Sequence, residues 1–425
     1  MTSVSPQPGT SASRKRRRRH IAYAVVVSIV VVLAGYLDAL PVFRSHLMQY
    51  LEIGDARFGL LFGIGSLTGL VSVFCGGQLL DRWGPRRLIR ICVAGLGSGM
   101  LIMAFCGQSF PAFALAVGWS AIFAAPLGIS VSAYLSKLFP RHRRRVVSIG
   151  LASASIGFML APIGAEGLLL LADRSPTISF GNVLHMPFLI LGVMLVGANL
   201  IYRKQAVANF NATPPSEAYQ RRWHWRDLLL PPEAFLLTIM LAMHGVADNV
   251  LGVWMARFLE SRSFPGELIA PGFVLAAVSL AYFLARITLA FIPDRVGRRA
   301  FIVLPGVIGG SLLIAGLLSR SYLFTVGGYI LGGFCWCTEY PAMVSSLLDN
   351  HRKRFGVIMA VSGLICGLSL FLAQNAMGML VDRLGDDQMW KLMLLPACVY
   401  PLISLCGLIW LLRYDRYRQS NSREP

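Results

Sequence analysis

Six ionisable side chains stand inside long apolar runs of this 425-residue chain: Asp38, Glu166, His244, Asp248, Arg286 and Glu339. Charge placed in hydrocarbon is costly, so such groups face a cavity or a partner and mark substrate or proton pathways. Arg286 offers a planar guanidinium fork suited to a carboxylate. Glu339 lies at a similar depth and gives the alternative, an internal ion pair with Arg286; both hold if a substrate competes for the fork. Asp38 and Asp248 stand in a medium that disfavours a charged carboxylate, which is what a proton carrier needs. His244, four residues before Asp248 and on the same helix face, titrates near neutrality by nature. Hydrogen bonds to neighbours, such as Asp38 with Tyr36 or Asp248 with Asn249, explain the two aspartates without proton transfer. Glu166 is counted with the proton-coupling candidates. Tyr282 and Asn375 join Arg286 and Glu339 as substrate-binding candidates.

Composition identifies the elements that carry these groups. Apolar residues make up 56% of the chain and charged residues 14%, against roughly 25% charged in soluble domains. That excludes a soluble globular domain, a disordered chain and a disulfide scaffold. The formal net charge of +19 raises nucleic acid as a partner, but the bases fall in short bursts between apolar runs. The expected partner is a lipid bilayer, with no nucleic acid.

A helix needs about 20 mostly apolar residues to cross the hydrocarbon core. Twelve such windows are present, at 21–42, 57–80, 88–107, 111–133, 146–171, 185–202, 234–256, 268–292, 300–318, 322–346, 355–380 and 391–413. The first follows the bases Arg14 to Arg19, yet it is longer than a signal-peptide core and is expected to be retained. With the N-terminus cytoplasmic, 30 of the 39 basic residues fall on inside segments and eight on outside loops. That bias orients both termini to the cytoplasm. The expected fold is an all-α membrane protein of twelve transmembrane helices.

The chain also repeats itself. A shift of 209 residues aligns Gly118 with Gly327, Arg145 with Arg354, Glu166 with Asn375, Asp173 with Asp382 and Arg174 with Arg383. Near the start the shift is 210, pairing Asp38 with Asp248; at the loop after the second span it is 213. The organisation is a basic tail (1–20), a six-helix bundle (21–202), a cytoplasmic linker (203–233), a second six-helix bundle (234–413) and a tail (414–425). Two parallel repeats place a substrate site between them near the midplane.

The loop Gly77-Gln-Leu-Leu-Asp81-Arg82-Trp83-Gly84-Pro-Arg86-Arg87 resembles the signature loop of the major facilitator superfamily, and Asp294-Arg295-Val-Gly297-Arg298-Arg299 resembles its degenerate second copy. Gly84 permits a tight turn, and Asp81 can accept from helix N-termini and from neighbouring arginines. The resemblance implies that Asp81, Arg82, Gly84, Arg86, Asp294, Arg295 and Gly297 form a cytoplasmic gate. Arg286, eight residues before Asp294, resembles the substrate arginine of the oxalate/formate antiporters and monocarboxylate porters. The window 355–380 lacks the lysine that the oxalate antiporters use, and Tyr282 stands where animal monocarboxylate porters place an aspartate. Gly157-Phe-Met-Leu-Ala161-Pro162-Ile-Gly164 resembles the antiporter motif of the superfamily, with alanine for a glycine.

Other features argue against other classes. No Gly-x4-Gly-Lys phosphate loop, catalytic triad or metal cluster stands in the sequence, so neither enzyme nor cofactor is expected. The basic-aromatic stretch Arg221-Arg222-Trp223-His224-Trp225-Arg226 suits a membrane interface. The expectation is a monomeric secondary transporter of a bacterial inner membrane, moving a small organic anion by proton symport or exchange. Its rivals are an exporter of hydrophobic or cationic compounds and a non-transporting receptor or assembly factor.

Overall fold

The computed structural model describes residues 25–138, 143–175, 179–204, 230–261, 269–292, 300–319, 321–350 and 355–415. Hydrocarbon supplies no water to backbone N–H and C=O groups, so each span must satisfy them internally as a helix. The helices are α1 (Val25–Ala39, continued after a 66° bend by Arg44–Leu51), α4 (Phe110–Leu138), α5 (Arg143–Arg174), α6 (Phe180–Lys204), α7 (Pro232–Ser261), α8 (Pro271–Phe291), α9 (Ala300–Ser319), α10 (Tyr322–Trp336, continued by Glu339–Asn350), α11 (Phe355–Leu384) and α12 (Met389–Trp410). One run, Asp55–Phe105, supplies both α2 (55–83) and α3 (85–105). They are divided at Gly84, whose φ of 73° and ψ of 160° belong to no helix.

The twelve spans match the windows read from the sequence, but two of them are not the straight helices expected there. The first ends as a 3-10 turn, Gly35–Ala39, before Pro41. Asp38 sits in that turn rather than in a regular helix. The tenth breaks at Cys337 and Thr338. Pro341 has no N–H to return to the carbonyl of Cys337, which loosens the ladder at that point. Both breaks lie beside ionisable residues that the sequence singles out, Asp38 and Glu339.

Close helix approach is set by small residues. At the crossing of α1 and α5, a Cβ on Gly35 would fall 2.9 Å from the Gly157 carbonyl carbon, and one on Gly157 would fall 2.5 Å from the Val32 carbonyl oxygen. Two backbones in contact leave no room for a side chain. Packing between the halves runs along two seams, α2 with α11 and α5 with α8. At the first seam, Gly59 lies against the Gln374 backbone and Gly63 against Asn375. Large apolar side chains such as Leu115, Phe291, Leu323 and Phe324 face outward, as contact with lipid requires. Replacing Gly157 with leucine is expected to force α1 off α5 and to cost about 1–3 kcal/mol, the range for overpacking. A fall in the thermal unfolding temperature of the detergent-purified protein checks this, with Gly164→Leu, at an open position, as the control.

Candidate functional site

The C-terminal half holds a polar network threaded through aromatic side chains. Asp248 on α7 accepts through one oxygen, Oδ1, from the Tyr282 hydroxyl, from Trp336 Nε1 at 3.2 Å and from the Tyr400 hydroxyl at 3.5 Å. Trp336 Nε1 also approaches the Tyr282 oxygen at 2.7 Å. The donors come from α8, α10 and α12, so a single carboxylate ties four helices of this half together. Trp336 and Tyr400 stack at 4.2 Å with 15° between their planes, and both are wholly buried. Asn249, the neighbour expected to hold Asp248, instead donates to the Gly245 carbonyl at 2.8 Å.

One turn earlier on α7, His244 Nδ1 lies 3.1 Å from Glu339 Oε2, with both side chains buried. This corrects the alternative of an Arg286–Glu339 pair: the contact that Glu339 makes is with histidine. Tyr400 meets the His244 ring edge-on, at 5.7 Å and 83°. It therefore touches both the Asp248 cluster and the His244–Glu339 pair.

Arg286 serves a different contact. Its Nη1 donates to Ser155 Oγ on α5 at 2.6 Å, and its guanidinium carbon lies 5.8 Å from the Tyr282 ring centroid. A cation is thus placed on the α5–α8 seam between the halves, one aromatic ring away from the carboxylate of Asp248. Arg286 and Tyr282, both expected at a substrate site, come together here. Asn375 does not join them: its amide donates to the Phe371 carbonyl at 2.7 Å on the other seam. Asp38 is exposed and makes no side-chain hydrogen bond or ion pair among the described residues.

The two seams converge on a closed end, the one bearing the connections after odd-numbered helices. Asp382 at the foot of α11 accepts from the backbone N–H groups of Asp55 at 2.9 Å and Ala56 at 2.8 Å, capping α2 from the opposite half. The Asp55 carboxylate in turn binds Arg44, which also lies 3.8 Å from Glu260 of α7. Arg257 binds Asp386 beside them. Beneath these charges Phe58 packs edge to face on Trp254 at 5.9 Å, both fully buried. On the second seam Glu166 Oε2 accepts from the Gly272 N–H at 3.0 Å and so caps α8. Glu166, grouped by sequence with the proton carriers, is placed as a cap between halves. A carboxylate at a helix N-terminus satisfies donors that have no partner in their own helix and complements the helix dipole.

At the other end, Arg82, Gly84 and Arg86 surround the turn between α2 and α3, with Arg86 6.0 Å from the Tyr134 ring and Arg87 5.3 Å from the Trp83 ring. Asp81 ends α2; its side chain, and Asp294, Arg295 and Gly297 entirely, lie outside the described residues.

A Major Facilitator Superfamily model matches residues 24–372. The chain belongs to the major facilitator superfamily. It is a multi-span membrane transporter. Among solved structures, it is similar to a bacterial homologue of the human lysosomal transporter Spinster in an inward-facing and occupied conformation. That match has a TM-score of 0.65 at 13% identity and covers 93% of this chain and 97% of the other. The inward-facing and unoccupied form of that homologue matches at a TM-score of 0.65 and 15% identity, covering 92% and 98%. At such identities the likeness speaks for the fold alone.

Several residues of these clusters were not singled out by sequence. Trp336, Tyr400 and Ser155 look like ordinary span residues, and nothing local separates them from their neighbours. Arg44, Asp55, Arg257, Glu260 and Asp386 lie at span ends, where charge is cheap. Asp382 carried a usable signal, its match to Asp173 in the repeat. Replacing Asp382 with asparagine is expected to weaken the cap on α2 by about 1 kcal/mol and to open this end in roughly fivefold more molecules. Spin labels at Arg57→Cys and Asp387→Cys, in a background without other cysteines, report this as a longer-distance population in the pulsed dipolar spectrum.

Proposed function

We propose that the transporter moves a small organic anion, a monocarboxylate in first place, by alternating access with proton symport or exchange. The observation that carries this reading is Arg286: a guanidinium on a seam between the halves, bonded to the neutral Ser155 hydroxyl and adjoining Tyr282. The guanidinium plane can hold both oxygens of a carboxylate. Tyr282 links that cation to Asp248, so a change in the charge of Asp248 alters the donor that Tyr282 presents to the substrate. Proton carriage falls to Asp38, Asp248, His244 and Glu166. Glu339 acts through His244.

The closed end faces outward if the basic bias is read as cytoplasmic, and substrate then enters or leaves from the side of the Gly84 turn. On this reading Asp81, Arg82, Gly84 and Arg86, with Asp294, Arg295 and Gly297, lock the inner end when the outer one opens. The protein works as a monomer in a bacterial inner membrane. Asp38 favours a second reading, an exporter of hydrophobic or cationic compounds: an exposed carboxylate in a broken helix suits a cation.

Uptake into proteoliposomes under an imposed inward-acid pH gradient separates the two. For labelled monocarboxylates, Arg286→Gln is expected to lower uptake at limiting substrate 10- to 100-fold, the loss of a charge-assisted hydrogen-bond pair. Arg286→Lys should recover part of it. Transport of lipophilic cations only, unchanged in Arg286→Gln and abolished in Asp38→Asn, would establish the exporter instead.

A further inference from the structure

The surroundings of the His244–Glu339 pair leave one carboxylate oxygen without a partner among the described residues. Oε2 of Glu339 has a partner in His244 Nδ1 at 3.1 Å. Oε1 has no hydrogen-bond partner among the described residues, and neither has the Ser404 hydroxyl on α12. Both atoms point to one place: a Cβ on Gly306 would fall 2.3 Å from Glu339 Oε1, 2.5 Å from Ser404 Oγ and 2.6 Å from the Tyr400 carbonyl oxygen. The nearby Gly306 N–H is a poor answer, since inside α9 it belongs to its own helix ladder.

An ionised carboxylate can only accept, and a backbone carbonyl can only accept as well. Oε1 and the Ser404 oxygen share one hydrogen, that of the hydroxyl, and the Tyr400 carbonyl already accepts from the Ser404 N–H within α12, so what is short at this spot is a second hydrogen. A proton on Oε1 supplies it, turning an orphaned acceptor into a donor to the Ser404 hydroxyl or the Tyr400 carbonyl. Burying a polar group without its hydrogen bond is what costs free energy, so the loaded form is the satisfied one.

We propose that Glu339 Oε1 is a proton-binding atom of this transporter, oriented by His244 through Oε2 and received by Ser404 and the Tyr400 carbonyl. The step is the reversible addition of one proton to the carboxylate and needs no further reactant. It rests on the transport reading above for its use, since proton binding there has meaning for coupling only if the chain carries protons. Other ionisable groups face the pair from the surrounding helices. They are Tyr400 from α12, Tyr340, Cys335 and Cys337 from α10, and Cys366, which adjoins Gly245, from α11. Asp248 stands one turn along α7, and Arg286 lies beyond Tyr282. No lysine or arginine forms an ion pair with Glu339 among the described residues; its partner is His244. The route of influence to Arg286 is a run of contacting rings, Tyr400 on Trp336 and Trp336 on Tyr282.

Infrared difference spectra of the full-length protein in lipid, stepped between acid and alkaline pH without substrate, test this directly. The native protein is expected to show the C=O stretch of a protonated, water-excluded carboxyl that titrates. The band should vanish in Glu339→Gln and persist in Asp248→Asn and Asp38→Asn. Ser404→Ala, which removes only a hydroxyl, should keep the band but weaken proton binding about five- to tenfold, moving its titration to lower pH because the protonated form loses its acceptor. A carboxyl C=O region left unchanged by Glu339→Gln, or one with no titrating band in the native protein, would overturn the proposal. Arg286-dependent uptake is read separately. Its failure with the Glu339 band intact sinks the anion reading, and the reverse result sinks only the proton site.

Discussion

Nothing in the hydrocarbon layer can answer a buried carboxylate except the protein itself, and that constraint shapes the C-terminal half. Asp248 is answered by three aromatic donors from three helices, and Glu339 by a histidine. Tyrosine and tryptophan suit this task because each brings a large apolar body and a single polar atom. They fill the bundle core as any large side chain would and spend their one hydrogen bond on the charge. The stacked rings of Trp336 and Tyr400 are therefore packing and electrostatics together. Removing the aspartate would strip the Tyr282 and Tyr400 hydroxyls of their shared acceptor and leave Trp336 only the Tyr282 oxygen, which is why such a cluster holds four helices in register more firmly than its area alone would.

The repeat shows how far symmetry goes before chemistry takes over. Asp38 and Asp248 occupy corresponding places in α1 and α7. One is exposed in a broken helix, and the other is enclosed by hydroxyls and an indole. The capping carboxylates diverge in the same way. Glu166 reaches the α8 N-terminus from mid-α5, while its counterpart Asn375 binds within its own helix, and the cap on α2 comes from Asp382, two turns farther along. The two halves solve the same problem, joining α5 to α8 and α11 to α2, with different residues at different heights. The matched spacing of the two halves carries over to their helices more fully than to the placement of charge.

This explains what the sequence made legible. Twelve spans, the Gly84 turn and the internal repeat rest on properties that act one residue at a time: apolar length, a single positive φ, matching spacing. The ionisable residues could be listed for the same reason, since each is an exception within its own window. Their partners could not, because a hydrogen bond between α7 and α10 is a fact about two helices 95 residues apart. Hence matching depth sets Glu339 against Arg286 in the sequence, whereas in the packed bundle its partner is His244. The breaks in α1 and α10 were hidden for a related reason: Pro41 and Pro341 disrupt ladders in runs apolar enough to pass for continuous helices.

The strengths of the contacts differ in a way that alternating access requires. Within the C-terminal half the network is many-bonded and buried, and breaking one member strands the others. Between the halves the closed end rests on pieces that are each small: two helix caps of about 1 kcal/mol apiece and the 3.8 Å approach of Arg44 to Glu260. The buried Arg44 keeps Asp55 from its own half when Glu260 withdraws, so opening the end need not leave that cation alone. A seal of a few kcal/mol is within reach of the difference a substrate or a proton makes to two conformations. A bundle held internally by clusters and externally by caps moves as two bodies. Among the described residues Arg286 is a cation that reaches across the α5–α8 seam, so its bond to Ser155 changes when the two bodies shift.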